Sequence, residues 1–306
     1  MATTRAGNLL AAFSFVLWGL LPVYYQFLPA PDMPELLALR ILCSVPTMLL
    51  VFWLLRRPMP NWRQVFKNKR SVAISGIAAL IMSVSWCAFT WAIANGQVLA
   101  ASLGFFINPL FAIALAVFIL KERLSYAQGI AVCLGILGIA YQVWHYGELP
   151  WLALIMGSFF ALYGLCKKYV EFDAMTSVTL ENILLAPFAL LFLIGDAIWG
   201  TPVALGGDST TLLLYIGAAP VTLVPLIFFA LALHRTSLTM VGLMQYIEPS
   251  LQFILAVLFF GEIFDNVKAV SFALIWGGLL FCSLEAIYAL RKHRHHRNSG
   301  GNLPQV

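Results

Sequence analysis

The run from Leu238 to Phe260 limits what this chain can become more than any other stretch. It is apolar over the length of a membrane crossing, yet Gln245, Glu248 and Gln252 fall on one helical face within it, and Pro249 directly follows the carboxylate. A proline inside a helix removes one amide donor and leaves the carbonyl four residues back, here that of Gln245, without its usual partner. An ionised carboxylate in hydrocarbon costs about 2.5 kcal/mol or more, so Glu248 must face protein or a wet cavity. The stretch reads as a polar seam at mid-membrane depth, where a solute or a proton can be held.

Nine further runs share its length and apolarity. The spans read as 7–28, 34–55, 71–94, 98–120, 125–144, 149–169, 174–198, 210–233, 238–260 and 267–290. About 20 apolar residues cross the hydrocarbon, and only helices satisfy their own backbone there without closing into a barrel. With 10% charged and 61% hydrophobic residues, almost nothing is left for a domain outside the membrane. The fold class is therefore all-α integral membrane, with ten transmembrane helices.

Lys and Arg give the orientation. With the N-terminus in the cytoplasm, sixteen basic residues fall on that side, among them Arg56, Arg57, Arg63, Lys67, Lys69, Arg70, Lys167 and Lys168, and only Lys268 falls on the other. Both termini are then cytoplasmic, and the pI near 9.0 reflects orientation, with no nucleic-acid partner implied. The five cysteines all lie inside apolar runs and read as packing residues. Met1 to Gly7 leads straight into the first span, which reads as retained and not as a cleaved signal.

A shift of 140 residues brings Asn108-Pro109 onto Glu248-Pro249, Ala116-Val117 onto Ala256-Val257, Glu122 onto Glu262 and Gly138 onto Gly278. Shifts of 141 and 145 align Leu39-Arg40 and Pro46 with Leu180-Glu181 and Pro187, and Trp18-Gly19-Leu20 with Tyr163-Gly164-Leu165. The matches recur in order, so residues 1–145 and 146–290 read as two five-helix membrane repeats, followed by a disordered basic tail, 291–306. Five is odd, so the second repeat enters the membrane with opposite polarity. Inverted repeats of this kind go with alternating access around a site near the midplane.

The stretches Trp18 to Pro22, Glu35 to Arg40, Ile107-Asn108-Pro109-Leu110 continuing to Lys121-Glu122-Arg123-Leu124, and Gln245 to Pro249 resemble the drug/metabolite transporter superfamily. Within it they are most similar to the EamA-type, RarD-like permeases, over roughly residues 5 to 290. The resemblance implies ten helices in a bacterial inner membrane, cytoplasmic termini, a central cavity, no cofactor, and export of a small organic solute.

Candidate site residues follow from depth and chemistry. Arg40, Glu181 and Glu248 are the ionisable groups inside spans, and counting about 1.5 Å per residue puts Arg40 closer in depth to Glu248 than to Glu181. Two carboxylates against one guanidinium leave one over, so Glu248 and Glu181 are both candidates for carrying a coupling proton. Asn108, the repeat partner of Glu248, offers an amide that binds a solute's polar group or caps the carbonyl of Phe105. Gln245, Tyr246 and Gln252 complete the seam. Trp86, Trp91, Phe105 and Tyr163 are expected to line the cavity or to pack the bundle.

Small residues at Ala131, Gly135, Gly138, Ala273, Gly277 and Gly278 suit close helix contact, within one chain or in a homodimer. The tail histidines His293, His295 and His296 have no fixed metal-ligand spacing and read as part of a basic segment near anionic headgroups.

An enzyme is not expected: no Gly-x-Ser-x-Gly, His-Glu-x-x-His or phosphate-binding loop occurs. The leading reading is a secondary transporter of a small metabolite or drug-like solute such as an amino acid. The alternative is a membrane receptor, channel or scaffold without active transport.

Overall fold

The computed structural model describes residues 2–25, 27–28, 32–94, 98–147, 151–258 and, between 265 and 285, all but 268, 272, 279 and 283. The basic tail and its histidines lie outside the described residues. Among those described, the regular structure is helical throughout. The helices are α1 (Ala2–Gly19), α2 (Leu21–Tyr25), α3 (Met33–Leu54), α4 (Trp62–Lys67), α5 (Lys69–Ala94), α6 (Val98–Phe118), α7 (Tyr126–Tyr146), α8 (Trp151–Tyr169), α9 (Ala174–Trp199), α10 (Ser209–Leu233), α11 (Leu238–Gln245) and α12 (Ile247–Leu258). Further helical residues lie between 266 and 285. Among the described residues, six stretches are long and apolar enough to cross a membrane: Thr4–Tyr24, Met33–Leu54, Lys69–Phe89, Tyr126–Tyr146, Ala174–Trp199 and Ser209–Leu233.

Polar caps set where the helices start. Asp32, Asp173, Asp208 and Ser237 accept backbone N–H groups of the first turns of α3, α9, α10 and α11, and Ser125 forms a reciprocal capping box with Gln128 at α7. Each cap satisfies donors that the helix cannot satisfy itself.

The chain forms two compact units. The larger contains residues 1–121 and 150–262. In it α1 packs on α10 and α12, α3 on α9 and α10, α5 on α8, and α6 on α8 and α11. Its centre is aromatic: Phe15, Trp18, Tyr163 and Phe229 are buried, with Tyr163 and Phe229 stacked at 6.2 Å between centroids and Trp18 5.7 Å from Phe229. In hydrocarbon, packing and ring geometry hold helices together because lipid tails are as apolar as the core. Gly19 permits the approach of α1 to α12, since a Cβ there would lie 2.9 Å from Leu251 Cβ and 3.2 Å from the Glu248 carbonyl oxygen.

The smaller unit contains residues 122–149 and 263–306. Its small residues do what their spacing suggests. A Cβ at Gly278 would meet Ala131 Cα at 2.8 Å, and the Ser271 hydroxyl donates to the Gly138 carbonyl at 2.9 Å. Tyr146 donates to Asp265 at 2.9 Å and Ser125 to Glu285 at 2.5 Å, so both ends of the helix pair are tied.

Three sequence expectations need correction. The run from Leu238 is not one helix, because it breaks at Tyr246, three residues before Pro249. Lys167 is no loop cation: it lies inside α8 with no exposed surface. Glu35, read only as part of a motif, is a further ionisable group that is fully buried. Its carboxylate accepts the backbone N–H groups of Val203, Ala204 and Leu205 at 2.8, 2.9 and 3.1 Å, so a turn of the 200–208 loop takes the place of water.

Candidate functional site

Two one-turn pairs on facing helices build the charged part of the site. Tyr163 and Lys167 are four residues apart on α8, and Ser177 and Glu181 are four apart on α9, so each pair shares a face. Lys167 Nζ donates to Glu181 Oε1 and to Ser177 Oγ, both at 2.6 Å. The Ser177 hydroxyl donates to Glu181 Oε1 at 3.1 Å and the Tyr163 hydroxyl to Oε2 at 3.0 Å. Both carboxylate oxygens are thus occupied, and all four side chains are buried. A charge pair in this setting holds only when further hydrogen bonds satisfy its remaining lone pairs and protons, and here they do.

Arg40 lies on α3 with its guanidinium carbon 4.2 Å from the Trp86 ring centroid, a cation–π contact. Arg40, Trp86, Tyr163 and Glu181 line one cavity together with Trp18, Ser44, Ser83, Asn182 and Thr222. Arg40 was placed nearer in depth to Glu248 than to Glu181, but the cavity it lines includes Glu181 and not Glu248. Depth along the membrane places residues in one dimension only, whereas laterally α3 packs on α9 and α10, and α12 packs on α1. The expected surplus of carboxylate in the cavity is corrected as well, since Lys167 neutralises Glu181.

The cavity measures about 50 Å³. That is room for a few waters, which need on the order of 10–15 Å³ each by the same kind of measure. Drug-sized ligands occupy pockets of roughly 300 Å³ and more. The space around this charged lining is too small for a drug-sized solute.

The broken helix forms a second polar region. Gln252 Nε2 donates to Glu248 Oε1 at 3.4 Å, and the Ser250 hydroxyl donates to the Tyr246 carbonyl at 2.6 Å across the break. Gln245 Oε1, the Tyr246 hydroxyl and Asn108 Oδ1 are buried and have no hydrogen-bond partner among the described residues. Asn108 sits against Gly157 of α8, where a Cβ would lie 3.0 Å from Oδ1. The seam is therefore real and polar, but it does not line the Arg40 cavity.

The remaining aromatic candidates divide. Phe105 packs edge-on to Phe89 at 5.8 Å, and Phe89 in turn to Trp86 at 5.8 Å, so Phe105 supports the cavity wall from behind. Trp91 is 52% exposed and lies away from the cavity lining. Sequence reasoning passed over Lys167, Ser177, Asn182 and Thr222. For the first two a signal was available: Lys167 follows Tyr163 by four residues, and Ser177 precedes Glu181 by four.

A helical protein with six membrane-capable stretches among its described residues and a small, charged cavity in its larger unit is a multi-pass membrane protein of the transporter kind. The chain belongs to the EamA-like transporter family, whose pattern matches residues 5–144 and 150–284. It is 37% identical over 294 residues to Protein RarD of Salmonella typhimurium, covering 94% of this chain and 98% of the relative. An uncharacterized transporter of Pseudomonas aeruginosa is 36% identical over 301 residues, covering 95% of this chain and 97% of that one. The transporter YojE of Bacillus subtilis is 33% identical over 297 residues, covering 96% and 99%. A solved crystal structure of a protein shares the fold with a TM-score of 0.69 at 17% identity, covering 92% of this chain and 99% of its own. The resemblance read from the motifs is borne out: the chain is a RarD-like membrane transporter of the drug/metabolite type.

Proposed function

We propose that this protein is a secondary transporter that exports a small organic solute across a bacterial inner membrane by alternating access. In this reading ten helices form two inverted five-helix repeats, with both termini cytoplasmic. The match of one family pattern to two stretches of similar length, 5–144 and 150–284, supports the repeat.

The observation that carries the reading is the lining of the cavity, where the Arg40 guanidinium stacked on Trp86 stands beside Trp18 and Tyr163, and Glu181 is held by Lys167. A solute with a carboxylate meets a guanidinium there, and its apolar part meets indole and phenol rings. An amino acid or an aromatic organic acid fits this chemistry better than a cationic drug does. Glu248, outside the cavity and joined to Gln252, is the group assigned to carry a coupling proton.

The test is flux in proteoliposomes loaded with amino acids, aromatic organic acids and amphipathic cations, with and without a pH gradient. Wild type moves carboxylate-bearing solutes and depends on the gradient, whereas Glu248→Gln loses that dependence. Gradient-driven flux unchanged in Glu248→Gln removes the proton role. Movement of cations alone removes the assignment of Arg40.

A further inference from the structure

We propose that the end of α3 and the segment leading into α4 form a binding site for the headgroup of an anionic phospholipid. Three independent features meet there.

The first is backbone geometry. α3 closes with the Arg57 N–H on the Phe52 carbonyl at 3.0 Å and the Arg56 N–H on the Trp53 carbonyl at 3.1 Å, which places Arg56 at φ 49°. Helices that end this way normally put glycine in the left-handed position, because a Cβ is strained there. Among the described residues, only Arg56 and Lys121 adopt positive φ without being glycine, and both are cations at the ends of helices. An arginine at a position suited to glycine places a long cationic side chain where helix termination alone would not ask for one.

The second is shape. A surface hollow of about 840 Å³ lies at this end of α3, lined by Phe52, Trp53, Arg56, Arg57 and Met59 among others. Trp53 and Leu54 are 74% and 61% exposed, so an apolar wall runs directly into the arginine pair. A ligand that fits this wall has an anionic head and hydrocarbon tails. Free phosphate would use the arginines and leave the wall bare.

The third is charge. Residues 56–70 contain Arg56, Arg57, Arg63, Lys67, Lys69 and Arg70 and no acidic residue. Within this segment the short helix α4 pairs the Trp62 and Phe66 rings at 6.4 Å while Arg63 and Lys67 stay exposed. Interfacial aromatics with clustered cations are the composition that meets an anionic leaflet.

The full chain, purified in a neutral detergent, is melted with phosphatidylglycerol, with phosphatidylcholine and with inorganic phosphate, as wild type, Arg56→Gly and Arg57→Gln. Phosphatidylglycerol is expected to raise the wild-type midpoint by several degrees, and the other two additives are not. Arg56→Gly is expected to melt at or above wild type without lipid, because the backbone strain is relieved, and to lose most of the phosphatidylglycerol shift. Arg57→Gln loses part of that shift. The proposal is overturned if wild type shows no such shift, if phosphatidylcholine or phosphate reproduces it, or if both variants retain it in full.

Discussion

Removing one partner of the Lys167–Glu181 pair tests the central claim about the cavity. Lys167→Met leaves the Glu181 carboxylate buried against Tyr163 and Ser177 without its cation. Glu181→Gln leaves an ammonium buried beside a neutral amide. Both charges are poorly hydrated, since Lys167 is fully buried and Glu181 is 5% exposed. Breaking such a pair from one side costs about 3–5 kcal/mol, most of it the unpaired charge. The double variant carries no charge and keeps amide acceptors and donors near the hydroxyls of Tyr163 and Ser177, so its cost should fall to about 1–2 kcal/mol. The singles therefore sum to far more than the double. Equilibrium unfolding in mixed micelles with a graded denaturing detergent measures this cycle. Salt should change it little, because buried pairs are weakly screened. The double variant should also retain gradient-dependent flux, since a carboxylate held by an ammonium has no proton to carry. Singles costing under about 1 kcal/mol, or a double equal to their sum, would refute the account of a neutralised Glu181.

Two further outcomes follow from single contacts. Arg40→Ala should fold and lose affinity for carboxylate-bearing solutes by at least tenfold, seen as a raised KM in proteoliposome flux, whereas Arg40→Lys should recover only part of it because an ammonium lacks the planar stack on Trp86. An unchanged KM in Arg40→Ala would remove it from the site. Glu35→Ala should destabilise by about 3 kcal/mol or more, because three backbone N–H groups lose a charged acceptor at once, and Glu35→Gln by less, because one acceptor oxygen survives. The same unfolding assay reads both, and equal costs for the two variants would contradict the account of the loop anchor.

Much of the molecule was legible because hydrocarbon permits few solutions. Apolar runs gave the helices, and the motifs gave the family. Arg40, Trp86 and Tyr163 were picked as site residues and do share a cavity. What failed was lateral. A depth count cannot tell that α3 packs on α9 while α12 packs on α1, so it set Arg40 beside Glu248, whereas the cavity that Arg40 lines includes Glu181. Lys167 was misread because a lysine two residues from a helix end ordinarily reaches out to water, and only the Glu181 opposite turns it inward. Pro249 signalled a lost amide in the 238–260 run, but the break itself, at Tyr246, was not legible, and there the Tyr246 carbonyl accepts both the N–H and the hydroxyl of Ser250.

The sequence repeat and the compact units divide the chain differently, and this bears on how the cavity can open. Residues 1–121 and 150–262 share one unit, so the first four helices of each proposed repeat pack together instead of forming separate bodies. The cavity draws Trp18, Arg40 and Trp86 from the first repeat, and Tyr163, Glu181 and Thr222 from the second. Two of its contacts lie within one repeat each. Arg40 stacks on Trp86 within the first repeat, and Lys167, Ser177, Tyr163 and Glu181 bind one another within the second. Rocking one repeat against the other would therefore widen a space of about 50 Å³ without separating Lys167 from Glu181, provided that it pivots near the Glu35 carboxylate, which holds the backbone of residues 203–205 across the boundary between the repeats. What parts is mainly aromatic packing, such as Trp18 against Phe160 and Phe229, whose rings can re-pack against a solute. A site arranged this way can change its exposure while the Lys167–Glu181 pair stays whole, and the Glu35 anchor fixes where the two halves must stay together.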